Sequence, residues 1–370
     1  MSLILSLAVA LALAPGAGAE ETLLQWKLAE GDEFHYQVVR DAWSTQKLPE
    51  QMAAMTGTDE MTVGSRTETI TRYVVDSVDD EGVAHVVATL LSAKIDSDQG
   101  PMGGKVKWDS TAEGATRPSN PVALVVAAPL GRETSFRLSP AGEVSDVEGF
   151  DEAVAAALET IQENPFMAMM AGQLKASGGN SAMEQLLSMQ FGQVPEAPIE
   201  TGGAWEKSNS SSFGTSGIGI VSTRTYSLTE LSGGEDDAGV LAMLDIAIAV
   251  VQDDSAGTAS GNPMAAMMKA KLEEAEGRGQ AIFDVSAGRL VSSNTETDLK
   301  VTATMGPQMQ IDADARDALQ VEMLAEAPDL PPPPVITGED EAEDPPKSED
   351  EERDDAPEGD EESEEDDSNG

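Results

Sequence analysis

Few side chains in this 370-residue sequence have the type and spacing that catalysis requires. His35 and His85 are the only histidines, and each lies in a segment that alternates like a β-strand, so we interpret both as packing or surface residues. There is no Gly-x-Ser-x-Gly elbow and no His-Glu-x-x-His helix, and "GTSGIG" from Gly214 has its glycines at the wrong spacing. We therefore predict no catalytic residue, no cofactor and no enzyme activity.

Carboxylates are too abundant to mark a site, because the chain has 68 Asp and Glu residues. A pair of catalytic acids leaves no signature among so many, so a carboxylate-dependent hydrolase stays a third alternative. The segment "DSDQG" begins like a calcium loop with Asp96 and Asp98, but Lys107 stands at the twelfth position, where a bidentate Glu is required. "DADAR" from Asp312 fails in the same way at Arg316, so we predict no metal site.

Methionine is the most unusual feature of the composition, with 17 residues. "NPMAAMM" from Asn262 predicts a helix in which Pro263 takes the first position and Met264, Met267, Met268 and Leu272 share a face. Such faces could pack on a sheet, bind Cu(I), or form a pliable apolar surface for a lipid or peptide. The candidate binding surface comprises Met167, Met170, Met264, Met267 and Met268.

The N-terminus predicts export. An apolar run from Leu3 to Ala14 is too short to span a bilayer, and small residues precede a cleavage site between Ala19 and Glu20. No later stretch approaches the length of a transmembrane helix, so we expect no membrane span in the mature chain. The absence of cysteine excludes disulfides and a lipidated cysteine. We expect a bacterial protein of the periplasm or the extracellular space.

Charge excludes nucleic acid as a partner. The formal net charge is −46, and the segment from Gly338 to Gly370 carries 19 acidic and 2 basic residues. A polyanion repels phosphate backbones, and this tail has too few apolar groups to offset the entropy of ordering. We predict that it is disordered and associates loosely with cations, behind a stiff hinge at Pro331 to Pro334.

Four features of the sequence recur in the same order. "FRLSPAGEVSDVEG" from Phe136 is repeated as "FDVSAGRLVSSNTET" from Phe283, each with an Ala-Gly turn. Upstream of each, a β-rich run that begins at Thr71 or Thr223 meets an acidic turn and then an apolar strand. Asn-Pro pairs that suit helix starts follow these runs at 120–121 and 262–263.

This order predicts an α+β fold dominated by β-structure, with two similar curved antiparallel sheet units and helices between them and packed on them. We expect a leader over 1–19, a first unit over 20–150, a helical connector over 151–192 and a second unit over 193–325. A Pro-rich hinge and disordered acidic tail follow over 326–370.

The strands of these units are long. From Glu33 to Thr45 the even positions Phe34, Tyr36, Val38 and Ala42 face one way, with Arg40 as an interruption. "VAHVVATLL" and "VLAMLDIAIAVV" are apolar at nearly every position, so we expect both to be central strands covered on both faces.

Two segments carry a resemblance to a known family. "WKLAEGDEFHY" from Trp26 and "APIETGGAWEK" from Ala197 are similar to motifs of a family of uncharacterised secreted bacterial proteins, a domain of unknown function whose members are often lipoproteins. The "LSPAGEV" hairpin is also similar, although the second motif has Gly203 and Ala204 in place of Gly-Asp. The resemblance implies an exported, β-rich protein and supplies no functional residues.

The function that these features favour is a non-enzymatic, exported binding or envelope-associated protein that holds an amphipathic ligand or a protein partner. The alternative is an acidic structural or surface-spacing protein with loose cation association.

Overall fold

The computed structural model describes residues 21–49, 53–54, 57–100, 104–159, 179–213, 218–233, 239–253, 268–305 and 309–334. These residues all belong to one compact unit. The expected leader (1–19), most of the acidic tail (335–370) and the middle of the helical connector (160–178) lie outside them.

The described residues form twelve strands and three helices. In chain order these are β1 Glu33–Lys47, β2 Glu60–Val78, β3 Ala84–Asp98, β4 Lys105–Asp109, α1 Pro121–Ala127, β5 Glu133–Leu138, β6 Val144–Glu148, α2 Phe150–Glu159, α3 Gly179–Phe191, β7 Ala204–Phe213, β8 Ile218–Ser232, β9 Leu241–Gln252, β10 Met268–Asp284, β11 Arg289–Met305 and β12 Met309–Leu324.

All twelve strands belong to one antiparallel sheet in the order β6-β5-β3-β2-β1-β12-β11-β10-β9-β8-β7, with β4 paired to β3. The chain enters the sheet near its middle at β1, moves strand by strand to the edge at β6, and resumes at the opposite edge with β7. It then returns to the middle at β12, which pairs with β1. The predicted β-dominated antiparallel class is confirmed, but the strands form one continuous sheet where we expected two sheet units.

Sequence neighbours pair because tight turns separate them. The run from Thr71 lies in β2 and pairs with β3, and the run from Thr223 lies in β8 and pairs with β9. Gly142 and Gly288 end the repeated Ala-Gly turns with φ of 78° and 62°, a conformation that only glycine adopts at little cost. Asn120 caps α1, since its side chain accepts hydrogen bonds from the backbone N–H groups of Val122 and Ala123.

Two expectations about individual segments are wrong. Residues 268–277 belong to β10 and not to a helix, because pairing with β11, and from Glu276 onward also with β9, satisfies backbone groups and outweighs the helix propensity of Lys, Ala and Glu. β9 is covered on one face only, as Met243 is 38% and Val251 59% exposed on the other. A strand with apolar residues at nearly every position is therefore not necessarily buried on both faces.

One end of the sheet is strongly curled. The backbone N–H of Trp26 donates to Pro140 O at 2.9 Å, and that of the next residue, Lys27, donates to Gly288 O at 3.1 Å. These acceptors lie in the β5–β6 and β10–β11 turns, which in a flat sheet would be about 29 Å apart at six strand spacings of roughly 4.8 Å. The sheet must therefore bend until both turns meet at the N-terminal segment.

A buried core fills the inside of this bend and contains side chains from both halves of the chain. Phe191, the last residue of α3, is fully buried against the rings of Trp26, Tyr36, Tyr73 and Phe136, with centroid distances between 5.0 and 6.2 Å. A second, smaller cluster packs α1 and α2 against β3 around Leu90 and Leu124. The two halves thus share one core at this end of the sheet.

Candidate functional site

The most distinctive surface of the molecule is the concave face of the sheet, here called the inner face. It is the face that carries Phe34 and Tyr36 on β1, and the strand register extends it across the neighbouring strands. We call the end with Trp26 and Phe191 the aromatic end, and the opposite end the far end. On β8 to β12 the inner face includes Ile220, Ser222, Arg224, Tyr226, Ile246, Ile248, Val250, Leu272, Ala275, Gly277, Gly279, Thr295, Thr297, Leu299, Val301, Ala313, Ala315, Asp317 and Leu319.

Charge is distributed very unequally between the two faces. By strand register, Asp317 is the only carboxylate on the inner face of the described strands. The outer face carries the others, among them Glu33, Asp41, Glu68, Asp96, Asp245, Glu274, Glu276, Glu296, Asp298, Asp312, Asp314 and Glu322. A strongly acidic protein thus keeps one extended face almost free of negative charge.

At the aromatic end, the inner face is filled and its polar atoms are mostly satisfied. The Tyr36 hydroxyl donates to Leu290 O at 2.6 Å, and the Tyr73 hydroxyl donates to Gln190 Oε1 at 3.2 Å. Burial raises the pKa of Tyr36 far above its ordinary value and that of Tyr73 to about 12. This end is a structural core and leaves no room for a ligand.

The middle of the inner face holds one ion pair. Arg40 on β1 donates from Nε and Nη2 to the two carboxylate oxygens of Asp317 on β12, at 3.0 and 2.9 Å. Burial opposes the Arg40 charge, but the hydrogen bonds and charge of Asp317 outweigh it and raise the pKa of Arg40. The pair explains why a charged residue stands among the apolar positions of β1. Its partner could not be found from local sequence, because Asp317 lies 277 residues away from Arg40.

On either side of this pair, the apolar side chains of the inner face are buried or partly buried, and Ile248, Val250, Leu299 and Val301 are only 5–9% exposed. Val38, Leu319, Ala315, Leu272 and Ile220 pack against the core while keeping part of their surface accessible. These five side chains come from four strands and form an apolar floor.

Two glycines allow the sheet to curve sharply beside this floor. A Cβ atom at Gly277 would lie 2.6 Å from Glu296 O and 3.0 Å from the Ile248 Cβ, and one at Gly279 would lie 2.4 Å from Asn294 O. Both positions belong to β10, so their neighbours on β9 and β11 can approach only because a side chain is missing.

Near the edge of the sheet, the inner face carries two cations opposite each other. Lys207 on β7 pairs in register with Arg224 on β8. One step toward the aromatic end, the rings of Trp205 and Tyr226 stack with centroids 5.4 Å apart. Burial raises the pKa of the Tyr226 hydroxyl, and the charge and hydrogen bond of Arg224 oppose this rise. The lysine Nζ also contacts Glu196 Oε1 at 3.0 Å.

The methionines proposed as a binding surface are distributed differently from what we expected. Met167, Met170, Met264 and Met267 lie outside the described residues, as does the cleavage site at Ala19 and Glu20. Met268 is the first residue of β10, not part of a helix. Its register partner is Met305, which in turn pairs with Met309, so three neighbouring strands have methionine in one row at the far end. The sequence analysis missed this row because it depends on strand pairing.

The other chemical candidates take structural positions. His35 is buried in β1, and burial lowers its pKa. Asp96 forms an ion pair with Lys107 at 2.7 Å, and Asp98 one with Lys105 at 3.5 Å, so the suggested calcium loop is a strand pair. In the described part of the chain, no group of three or more His, Cys, Asp or Glu residues could hold a metal ion.

Two depressions lie along the sheet and neither resembles a closed pocket. One of about 410 Å³ is lined mainly by the outer faces of β2, β3 and β4, with Arg66, Glu68 and Lys94 at its margin. The other, of about 340 Å³, crosses β9 to β12 beside Met243 and Gln280. Among the residues that the structure describes, no helix is long and apolar enough to cross a bilayer.

Comparison with protein families gives one match. The sequence model of a family of unknown function, DUF6263, matches residues 81–288, which is more than half of the chain. The match confirms the resemblance to an uncharacterised family and includes the motif that begins at Ala197. A comparison with curated proteins found no match.

Solved structures show weak similarity only. A lipovitellin structure described by its lipid–protein interactions gives a TM-score of 0.40 at 13% identity over 82% of this chain, which spans about a quarter (26%) of the lipovitellin chain. DynF from the dynemicin biosynthesis pathway of Micromonospora chersina gives 0.18 at 9% identity, covering 84% of this chain and 87% of DynF. An outer membrane channel from Pseudomonas putida F1 gives 0.19 at 9% identity, covering 84% and 100%. At these scores the similarities support no conclusion about function.

Proposed function

The chain belongs to DUF6263, a family of unknown function, and we propose from its own inner face that it is a non-enzymatic protein that binds an amphipathic small molecule. The observation that carries this proposal is the combination on one concave face of a partly accessible apolar floor with very few charges. Apolar area of this kind gains free energy when a ligand removes it from water, at about 25 cal/mol per Å². The acidic outer face keeps the protein soluble without entering the site.

Three properties of the inner face suit an amphiphile. Val38, Leu319 and Leu272 provide contacts for a hydrocarbon chain. Thr297 on β11 is partly accessible and offers a hydroxyl group beside that floor. The curvature made possible by Gly277 and Gly279 gives the floor concave walls, which bury more of a ligand than a flat sheet does.

A binding role fits the polar groups better than catalysis does. The Arg40 and Asp317 side chains satisfy each other, and the nearest histidine in sequence, His35, lies on the opposite face of β1. A general base needs hydrogen-bonding reach to a nucleophile or to the substrate. No described group on the inner face has this arrangement.

Export is part of the proposal. Its support is the apolar N-terminal run, followed by small residues at Ala17 and Ala19 that suit a cleavage site. Mass spectrometry of the protein recovered from the bacterial envelope fraction tests it. The expected mature chain begins at Glu20, and an intact Met1 in that fraction contradicts the prediction.

We also propose that the sheet arose by duplication of a five-stranded meander, β1-β2-β3-β5-β6 and β7-β8-β9-β10-β11. Gly31 N donates to Val75 O, and Val75 N to Asp32 O. Gly202 N donates to Leu228 O, and Leu228 N to Gly203 O, in the same pattern. The equivalence places Phe34 with Trp205 and Tyr73 with Tyr226.

The equivalent positions agree in geometry as well as in hydrogen bonding. Phe34 stacks on Tyr73 at 5.3 Å and 12°, and Trp205 stacks on Tyr226 at 5.4 Å and 13°. A β-bulge follows each tyrosine, at Asp76 and at Thr229. Experimental structures of other family members should show both bulges, and a member with only one of them would argue against duplication.

The binding proposal is tested with a neutral apolar fluorophore, N-phenylnaphthylamine, titrated into the purified protein. We expect saturable binding that Ala315→Trp weakens at least about tenfold, since the indole would occupy the floor. Ala318→Trp is the matched control, because Ala318 lies on the outer face of the same strand between Asp41 and Glu296. Absence of saturable binding would refute the proposal and favour the acidic surface-spacing alternative, whereas equal loss in both variants would show that the inner face is not the site.

A further inference from the structure

We propose that the amphiphile is a long-chain carboxylate whose headgroup binds at the paired cations Lys207 and Arg224. This inference rests on the proposed function and adds the chemical class and orientation of the ligand. The juxtaposition that carries it is a row of two basic side chains at the edge of an apolar inner face.

Two like charges directly opposite on neighbouring strands destabilise a sheet unless something compensates them. Lys207 and Arg224 are such a pair. Glu196 pairs with the lysine from a mostly exposed position, with 74% of its side chain accessible. Within the described ranges, no carboxylate forms an ion pair with Arg224. Its side chain instead forms a hydrogen bond with the Tyr226 hydroxyl. The site therefore has cationic hydrogen-bonding capacity that an anion would satisfy.

The first half of the chain shows what the same positions look like without such a role. The duplication makes Tyr36 and Thr71 equivalent to Lys207 and Arg224, and the first two residues are also register partners. Tyr36 is fully buried there and donates its hydroxyl to a backbone carbonyl. In the first copy the side chain of Tyr36 is therefore part of the core. In the second copy Lys207 and Arg224 place two cations at the equivalent positions of the same face.

Apart from Glu196 beside Lys207, the described strands leave few competitors for these cations. Asp317, the one inner-face carboxylate of the described strands, accepts from Nε and Nη2 of Arg40 and lies four strands away from β8. A guanidinium presents two parallel N–H donors that match the two oxygens of a carboxylate. The buried indole Nε1 of Trp205 has no acceptor among the described residues and is a further donor beside the site.

The apolar positions near the cations indicate where the hydrocarbon chain lies. Ile248, the register partner of Arg224 on β9, and Val250 are already buried, and the accessible apolar surface that follows toward the far end is that of Ile220. From Arg224 to Ile220 the strand rises about 13 Å. Beyond it, Leu272 continues the apolar surface on β10. A single chain with its carboxylate at Arg224 would cover this surface.

The test compares an anthroyloxy-labelled stearate with its methyl ester, using the purified full-length protein. We expect the stearate to bind about tenfold more tightly than the ester, as a charge-assisted bidentate contact adds to the same apolar burial. Arg224→Gln should remove this preference, and an unchanged urea midpoint shows that the variant is folded. Lys207→Gln should reduce the preference less, because Glu196 already shares that charge.

Arg278→Gln is the matched control, since it removes the same charge from an exposed position on the outer face of β10. Equal losses in the Arg224 and Arg278 variants would show a long-range charge effect and overturn the assignment. Tighter binding of an alkyl phosphate of the same chain length would overturn the choice of a carboxylate. Ester binding without any stearate preference refutes this inference alone, whereas failure of both probes to bind refutes the proposed function.

Discussion

Replacing Phe191 with alanine should lower the free energy of unfolding by about 3–5 kcal/mol. The side chain is fully buried and lies within 6.2 Å, between ring centroids, of Trp26, Tyr36, Tyr73 and Phe136. The loss combines the transfer of the ring with the cavity left behind, because four rings from several strands cannot collapse into the space together. Typical domains are stable by only 5–15 kcal/mol, so the effect should be large.

Equilibrium urea unfolding, followed by tryptophan fluorescence, measures this change. The backbone carbonyl of Phe191 still accepts from Trp26 Nε1 in the variant, so the loss reports the ring alone. Leu186→Ala in the same helix is the control, since Leu186 is 41% exposed and should change stability by less than about 1 kcal/mol. A loss below about 1 kcal/mol for Phe191→Ala would refute the conclusion that the end of α3 fills the shared core.

Two further predictions concern the curvature of the sheet and the effect of pH. Gly277→Ala should destabilise by about 1–3 kcal/mol, because its Cβ would lie 2.6 Å from Glu296 O; unchanged urea midpoints would show that β9 and β11 can move apart. Burial lowers the pKa of His35 in the folded state, with Glu33 opposing and Arg72 supporting this. The unfolded chain therefore binds the proton more tightly, so the contribution to stability is complete above pH about 6.5 and decreases as the pH falls below that value. His35→Gln should reduce this decrease between pH 7.5 and 5, and an unchanged pH dependence would contradict the assignment.

Local features of the fold could be predicted from sequence where short-range chemistry decides them. Asn120 precedes Pro121, and this pair favours a helix start. The Asn side chain caps the helix, and the proline ring fixes φ at the first helical position. The Gly142 and Gly288 turns follow from the need for positive φ. Alternation along β1 placed Phe34 and Tyr36 on one face, because successive side chains of a strand point to opposite faces.

Other elements could not be predicted because distant partners decide them. The methionine-rich segment has good helix formers, yet residues 268–277 form a strand that pairs with β11 and satisfies backbone groups of that strand. The single sheet depends on the pairing of β1 with β12, the first and last strands in the sequence. No local pattern encodes such a pairing, since its register is set by contacts at both faces.

The candidate site shows the same division. By itself, the sequence determined a cysteine-free, acidic, β-rich chain with tight turns at Gly142 and Gly288, since composition and turn chemistry act within a few residues. Only the tertiary structure decided which face each charge occupies. It places the strand carboxylates other than Asp317 on the outer face, brings Arg40 to Asp317, and puts Lys207 opposite Arg224 on an apolar face. Such neighbours are created by strand register, and a shift of one residue would have moved every one of these side chains to the other face.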